Sequence, residues 1–343
     1  MRRRNLVSSC ALAGAIALAL LGTVSVVGQG PANKGKAPAK AKAKGKGVAK
    51  TAWGAPDLQG VWFVQADVPL ERSAANAGKE FLTDEEIAAS DIRKGLNPGR
   101  NARAAGEADV TGAYNAVFNS VLKTGRRTSM IIDPKDGKIP PTVDGRGGGG
   151  RGFAGGGRGA AATQNDNPET TAQSPRCLGV PMPFLPLNTA FAQGTVMQLV
   201  QSPNSVAIYM EDDHAGGGNR VIYLDGRPHL PANIKTYLGD SRGHWEGNTL
   251  VVETTNFSQG FRGSNPDTYK MIERFTRVDE NNLQRQITFE DPQTWTQPWT
   301  VLIEMGKTDD ARQMIFDSAC HEGNYGMTGI LVGARRAEQD AKK

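Results

Sequence analysis

The feature that most constrains the fold is a two-residue alternation of apolar and polar side chains that begins near Thr195. Its clearest stretch alternates Leu283, Arg285, Ile287 and Phe289 with Gln284, Gln286, Thr288 and Glu290. This period places successive side chains on opposite faces of a β-strand. Roughly eight or nine such segments follow one another with almost no helical pattern between them, which predicts a mainly β domain, a single antiparallel β-barrel or sandwich. We expect the barrel.

Short turns separate the predicted strands. Turn-forming residues stand at Ser202-Pro203-Asn204, at Glu246-Gly247-Asn248 and from Asp279 to Asn282. Each group lies between two strand-like segments, so each predicts a β-hairpin. Parallel strands would need long crossover connections, which usually contain a helix, and no such helices are apparent. A last strand is predicted over residues 312–322, followed by a short terminal helix.

The N-terminal part of the domain is predicted to be irregular. A first strand leads to Trp62, and a short apolar strand covers Met130 to Ile132. Between them a short helix is predicted near residues 83–95, because Thr83 and Glu86 have the spacing of a capping box.

The first fifty residues differ in composition from the rest. Residues 1–30 join a basic start to an apolar run that is shorter than a membrane span needs, which predicts a Sec or Tat export signal and a periplasmic or secreted protein. Residues 31–50 are rich in Lys, Gly, Ala and Pro and predict a flexible basic linker. The linker is either a solvated spacer or a weak contact with the anionic cell envelope.

The remaining chain predicts one β-rich domain over residues 51–335, followed by a tail over 336–343. Within it, the Gly/Arg-rich insertion at 145–175 has a composition typical of disorder. Residues 1–50 hold ten basic and no acidic side chains, which leaves 30 basic against 35 acidic in the rest. Since the predicted domain is mildly acidic, no nucleic-acid partner is predicted. The oligomeric state is left open.

Two cysteines would remain after removal of the export signal. Cys177 and Cys320 would then meet an oxidising compartment, which favours a disulfide between them. Two buried free thiols are the alternative.

The stretch GDSRGHWEG, residues 239–247, begins with the G-x-S-x-G pattern of serine hydrolases. A nucleophile elbow needs a strand before the serine and a helix after it. Because a β-hairpin is predicted after Ser241, we interpret the pattern as a bend and not as a nucleophile.

Four other side chains of this stretch are candidate catalytic residues: Asp240, Arg242, His244 and Glu246. In a structural interpretation they tie the bend together through charge-assisted hydrogen bonds. In a functional interpretation His244 points into the barrel as a general acid, general base or ligand. The structural interpretation is slightly favoured.

A second candidate cluster contains His321 and Glu322. It resembles the start of a zinc-binding H-E-x-x-H pattern, but Tyr325 stands at the position of the second histidine. The pair is either a strand end followed by a turn or a polar site held beside the disulfide. No cofactor is predicted, and a metal ion at His244 and His321 is the less favoured alternative, because the histidines lack ligand spacing.

Arginines and aromatic residues recur in the predicted strands: Arg220, Tyr223, Arg274, Arg285, Trp295 and Trp299. They would line a pocket for a flat or anionic small molecule if they face inward. They would belong to a solvated sheet surface if they face outward, and alternation alone does not say which face is inside.

Several motifs resemble those of a large group of uncharacterised exported bacterial proteins: GDSRGHWEGNTLVVETTNF, LVQSPNSVAIYME and ACHEGNYGM. The resemblance covers about residues 55–335 and implies that the linker and the Gly/Arg insertion are additions to a common core. It carries no catalytic residue over to this chain. The tripeptide Gly60-Val61-Trp62 also loosely resembles the G-x-W of lipocalins, so we expect a barrel that is lipocalin-like or calycin-like in outline.

These observations favour a polar-mouthed pocket for a small molecule. An acid/base enzyme would use His244 as acid or base, Arg242 or Arg220 to stabilise an oxyanion, and Asp240 or Glu322 to orient the histidine. The alternatives are a non-catalytic carrier for a hydrophobic ligand and a structural envelope protein.

Overall fold

The computed structural model describes residues 48–95, 122–145, 167–171, 174–178, 182–187, 195–210, 217–308, 315 and 319–342. They belong to one compact unit, Gly45–Lys343. The predicted export signal, residues 31–47 of the linker, residues 146–166 of the insertion and His214 lie outside the described residues.

Among the described residues, ten β-strands form one sheet, and nine of them close into a barrel. In chain order the strands are β1 (Gly60–Val64), β2 (Ile131–Asp133), β3 (Val196–Gln201), β4 (Ser205–Met210), β5 (Gly218–Tyr223), β6 (Asp240–Glu246), β7 (Thr249–Thr255), β8 (Lys270–Arg277), β9 (Asn282–Glu290) and β10 (Trp299–Lys307). Around the barrel the order is β1-β3-β4-β5-β6-β7-β8-β9-β10, and an antiparallel β1–β10 pairing closes the ring. The prediction of a mainly β fold with a single barrel is confirmed.

The predicted hairpins form at the predicted turns. β3 and β4, β6 and β7, and β8 and β9 are each antiparallel pairs in direct succession. One pair differs from the expectation of purely antiparallel pairing, because β5 and β6 run parallel through the single pair Tyr223 and Arg242. The connection over residues 224–239 is long enough to bring the chain back to the end of the barrel where β5 began, so that β6 runs in the same direction without a crossover helix.

Two strands share one edge of β10. β2 pairs with its first residues, Thr300 and Val301, whereas β1 pairs with its last residues from Met305 to Lys307. The short strand β1 therefore completes the barrel between β10 and β3, and β2 extends the sheet at β10.

Two α-helices are present in the described residues: α1 (Asp84–Gly95) and α2 (Gly326–Asp340). The predicted capping box of α1 forms, since Thr83 N donates to Glu86 Oε2 at 2.8 Å and Glu86 N donates to Thr83 Oγ1 at 3.3 Å. Of the strand predicted over residues 312–322, the described end at 319–322 is a turn. No helix among the described residues has the length and apolar character to cross a membrane.

Alternating side chains of the strands fill the barrel interior. In β8 the buried positions are Met271, Glu273, Phe275 and Arg277, and in β9 they are Leu283, Arg285, Ile287 and Phe289. The inward rows of these strands therefore mix large apolar side chains with three charged ones. Burying each large apolar side chain stabilises the fold by about 1.5–3 kcal/mol.

A disulfide joins Cys177 and Cys320, with Cα atoms 5.6 Å apart, so the predicted pairing is confirmed. The bridge connects residues 174–178 to the turn that precedes α2. Helix α2 contains no buried residue. Since an isolated helix of this length is marginal in water, we expect the bridge, together with the hydrogen bond from Arg335 Nη2 to Asn167 Oδ1 at 3.1 Å, to hold it on the domain.

We predict that replacing both cysteines, Cys177→Ser with Cys320→Ser, frees the C-terminal segment without opening the barrel. Amide hydrogens of α2 should exchange with solvent at least about tenfold faster, whereas those of β7 to β9 keep their protection. Hydrogen-exchange mass spectrometry on both proteins measures this. A parallel loss of protection in the barrel strands would contradict the prediction.

Candidate functional site

An ion network lies inside the barrel. The carboxylate of Glu273 pairs with Arg220 through Oε2 and with Arg285 through Oε1, where Arg285 Nη2 is 2.7 Å away and Nε is 2.9 Å away. All three side chains are buried, Glu273 completely. The network joins β5, β8 and β9 and has one more positive than negative charge.

Arginines favour the ionised form of Glu273. Burial by itself raises the pKa of this carboxyl, but the coulombic attraction of Arg220 and Arg285, together with their hydrogen bonds, lowers the pKa overall. Glu273 is therefore a carboxylate in the folded protein at neutral pH.

A short segment of chain, residues 182–187, covers the network. Arg285 Nη2 donates to the carbonyl oxygen of Pro183 at 2.6 Å, and Arg285 Nη1 donates to that of Phe184 at 3.1 Å. The ring of Phe184 packs on Gly218 so closely that a Cβ atom there would lie 2.3 Å from the ring. Phe184 itself has a φ of 53°, a left-handed conformation that is costly for a bulky residue.

Arg220 has weaker additional contacts. Its Nη1 lies 3.4 Å from Ser241 Oγ and 3.5 Å from Thr254 Oγ1, at the long limit for hydrogen bonds. The two hydroxyls are 3.0 Å apart. Ser241 therefore lies inside the barrel beside an arginine, on a strand that continues into a hairpin.

Asp240 and Arg242 form a different cluster, which includes a histidine that the sequence did not single out. Asp240 Oδ2 is 2.8 Å from His229 Nδ1, and Asp240 Oδ1 accepts a hydrogen bond from Arg242 Nη1 at 2.6 Å. The other ring nitrogen of His229 is 3.4 Å from Glu253 Oε1. Because Asp240 also accepts from Leu230 N at 3.0 Å, the cluster fastens the 224–239 connection to the barrel wall.

His244 and Glu246 lie next to each other on the same strand. His244 Nε2 is 3.1 Å from Glu246 Oε1, and Arg274 Nη2 is 2.7 Å from Glu246 Oε2. Hydrogen bonds from Arg274 and His244 lower the pKa of Glu246. The side chain of His244 is 64% exposed, so it faces solvent from the barrel wall.

His321 and Glu322 are exposed in the turn after the disulfide. No described hydrogen bond or ion pair joins either of them to His244 or Arg220. Within the described ranges, no group of three or more His, Cys, Asp or Glu residues is arranged to hold a metal ion.

The aromatic candidates occupy different surroundings. Trp295 and Trp299 are buried at one end of the barrel, with ring centroids 5.6 Å apart. Tyr223 lies under the guanidinium groups of Arg227 and Arg242, at 4.1 and 5.3 Å from its ring centroid.

A small cavity lies where β1 and β2 share the edge of β10. Its volume is about 70 Å³, and Val64, Met130, Pro186 and Leu302 are among its lining residues. A drug-sized ligand needs a pocket of roughly 300 Å³ or more, so this cavity is large enough for water but not for such a ligand.

Solved structures with some similarity include the fluorescent protein UnaG in two forms. The wild-type form is 10% identical with a TM-score of 0.23, and the match covers 39% of this chain and 86% of that chain. A point mutant is 8% identical with a TM-score of 0.22, and the match covers 33% and 71%. No protein-family model and no curated protein match the chain. The strand pairing itself defines a closed β-barrel protein with a charged interior.

Sequence reasoning missed Glu273 and His229. The available signal for Glu273 was the alternation of β8, which puts it in one row with Met271 and Phe275. For His229 no local signal exists, because its partner Asp240 is brought to it by the fold of the connection.

We predict that Glu273→Gln lowers the free energy of unfolding by about 3–5 kcal/mol, since it leaves two buried guanidinium groups without their carboxylate. Urea denaturation measures the loss. Glu246→Gln is the matched control on the solvated outer face, where little change is expected. Equal effects of the two substitutions would contradict a special role for the buried carboxylate.

The same carboxylate predicts a pH dependence of stability. Because the folded-state pKa of Glu273 lies below its ordinary value of 4.5, the unfolded chain takes up a proton first as the pH falls. The contribution of Glu273 is complete above 4.5 and is lost as the pH approaches the folded-state pKa. Below pH 4.5 the unfolding free energy of the wild type should fall more steeply than that of Glu273→Gln, as urea titrations at several pH values would measure; parallel slopes would contradict this.

Proposed function

We propose that the protein binds a small amphiphilic carboxylate inside the barrel and acts as a carrier or sensor. The observation that carries the proposal is the excess positive charge of the buried network, in which Arg220 and Arg285 share the single carboxylate of Glu273. The apolar side chains around the network would receive the apolar part of the ligand.

The energetic cost of the network supports a role in recognition. Taking charges out of water costs several kcal/mol per ion, and well-packed apolar residues of similar volume often stabilise a core as well or better. A barrel that served only as a scaffold would gain little from three ionised side chains in its interior.

The segment over residues 182–187 supplies the oxygen atoms that a ligand would replace. The carbonyl groups of Pro183 and Phe184 accept from Arg285, but a carbonyl is uncharged. Charge-assisted hydrogen bonds to a carboxylate are roughly twice as strong as bonds to a neutral acceptor. Displacement of these carbonyls, with relief of the left-handed conformation of Phe184, would therefore favour ligand entry.

Binding is favoured over catalysis by the surroundings of the histidines. His244 is exposed and engaged by Glu246, and both ring nitrogens of His229 lie near carboxylates. The acid/base enzyme remains a hypothesis that needs a substrate pocket beside one of these rings.

We also propose that the protein is exported. The disulfide between Cys177 and Cys320 supports an oxidising compartment, since such bonds are rare in the cytosol of most organisms. The basic start and short apolar run of residues 1–30 provide the export signal in this proposal.

We predict that the wild-type protein binds decanoate at least about tenfold more tightly than 1-decanol, which has the same chain without the charge. Isothermal titration calorimetry on the purified full chain measures both affinities. Arg220→Met should reduce decanoate affinity by about tenfold while Glu273 keeps Arg285 as its partner.

Arg274→Met is the matched control, because Arg274 is an outer-face arginine that also pairs with a glutamate. It should leave decanoate affinity unchanged. Equal affinity for the acid and the alcohol, or an equal effect of the two substitutions, would remove the interior arginines from ligand binding.

A further inference from the structure

Aromatic rings fill the end of the barrel at which β8 and β10 begin. The six rings belong to Phe257, Phe261, Tyr269, Phe289, Trp295 and Trp299. Phe289 stacks on Trp299 with centroids 4.1 Å apart, and Phe261 stacks on Phe289 at 5.3 Å. Trp295 meets Trp299 edge to face at 5.6 Å. Rings stacked and packed edge to face in this way present aromatic faces on which a planar group can stack.

Buried polar atoms without a partner are concentrated at the same end. Among the described residues, Tyr269 OH, Trp299 Nε1, Ser264 Oγ and Arg262 Nε are buried at this end and make no hydrogen bond, and Arg127 Nε is a fifth such atom elsewhere. Tyr269 is 2% exposed and Trp299 is 0% exposed. Buried polar groups in native proteins are almost always partnered, so such atoms call for an explanation.

Each of these groups can donate a hydrogen bond. An indole N–H can only donate. Burial raises the pKa of Tyr269 well above its ordinary value, and the nearby Glu273 and Asp291 raise it further, so the phenol keeps its proton. The aromatic end therefore offers neutral donors that would be satisfied by an acceptor atom on a ligand.

The loop between β7 and β8 places an aromatic side chain, Phe261, over this end of the barrel. Phe261 is 3% exposed and inserts from the loop onto Phe289, whereas the next residue, Arg262, has a left-handed φ of 53°. The base of the loop is fixed, because Asp291 accepts from Asn265 N at 2.7 Å and from Thr268 Oγ1 at 2.6 Å. A strained tip on a fixed base is typical of ligand clamps.

We propose that the aromatic end is a binding site for a planar, uncharged ring system that carries a hydrogen-bond acceptor. The ligand ring takes the place of Phe261 against Phe289 and Trp299, and its acceptor receives a hydrogen bond from Trp299 Nε1 or Tyr269 OH. The donors of Tyr269 and Trp299 are neutral, which favours an uncharged acceptor, since burying a charge is costly. The guanidinium of Arg262, 5.7 Å from the Phe261 ring centroid, belongs to the loop tip that would move with Phe261. The inference deepens the proposed function and rests on it for the entry of ligands into the barrel.

Quinoline and naphthalene test the site on the purified full chain. The two probes have the same shape, but only quinoline has an acceptor, its ring nitrogen. The wild type should bind quinoline at least about fivefold more tightly than naphthalene, as titration calorimetry would measure. The double variant Tyr269→Phe with Trp299→Phe should abolish this preference and leave the affinity for naphthalene within about twofold.

Matched controls and a milder variant keep the test decisive. Tyr325→Phe and Trp53→Phe make the same chemical changes at exposed positions and should leave the preference intact. If the double variant does not fold, Tyr269→Phe and Trp299→Phe are compared singly, and at least one of them should reduce the preference. The hydroxyl that Tyr269→Phe removes makes no hydrogen bond among the described residues, so this variant is expected to fold.

Three results would overturn the inference: saturable binding of neither probe, equal affinity for both, or a preference that survives every variant at Tyr269 and Trp299. Since neither probe carries a charge, the outcome is separate from that with decanoate. Failure with quinoline alongside preferential binding of decanoate would remove the aromatic site alone, whereas failure with both would also remove the proposed function.

Discussion

The ion network around Glu273 is the interaction on which the interior of this barrel depends. A completely buried carboxylate is tolerable only with partners, and its partners come from β5 and β9, which lie on opposite sides of β8 in the strand order and point into the barrel. Arg285 then uses its remaining donors on the carbonyls of residues 182–187, which draws a segment without regular structure onto the barrel core. One charged side chain on β8 thus links two other strands and, through Arg285, the covering segment.

The barrel interior has a different chemistry on each side of this network along β8. Towards the start of β8 the interior becomes aromatic and contains unpartnered donors of Tyr269 and Trp299. Towards the end of β8, Arg277 donates to the carbonyl oxygens of Asp57, Asp279 and Glu280 and closes the barrel with hydrogen bonds. A molecule with a planar neutral part and a carboxylate would match the first direction and the network together.

In the stretch from Asp240 to Glu246, neighbouring functional side chains point to opposite faces of one strand. Ser241 faces the barrel interior, whereas His244 and Glu246 face solvent, because successive side chains alternate across the wall. Residues that look like one site in the sequence therefore belong to two environments. The histidine that Asp240 contacts is His229, from the preceding connection.

Local patterns were enough to predict most of the fold. Period-two alternation, turn residues and the capping box of α1 each act over a few neighbouring residues, and the hairpins and the helix follow from them. The site was only partly predictable. Arg220 and Arg285 were among the candidates, but alternation alone left open whether they face solvent or the core.

By itself, the sequence determined the strands, their hairpins and the mainly β class, because these depend on local backbone preferences and on the spacing of apolar side chains. Only the tertiary structure decided which charges share the interior. Glu273 is 12 residues from Arg285 in the sequence and 53 from Arg220, and the second contact exists only because β6 and β7 continue the curved wall from β5 to β8. Burial and charge pairing are properties of that closed surface, so the ion network and the aromatic end become visible only when the ring of strands is complete.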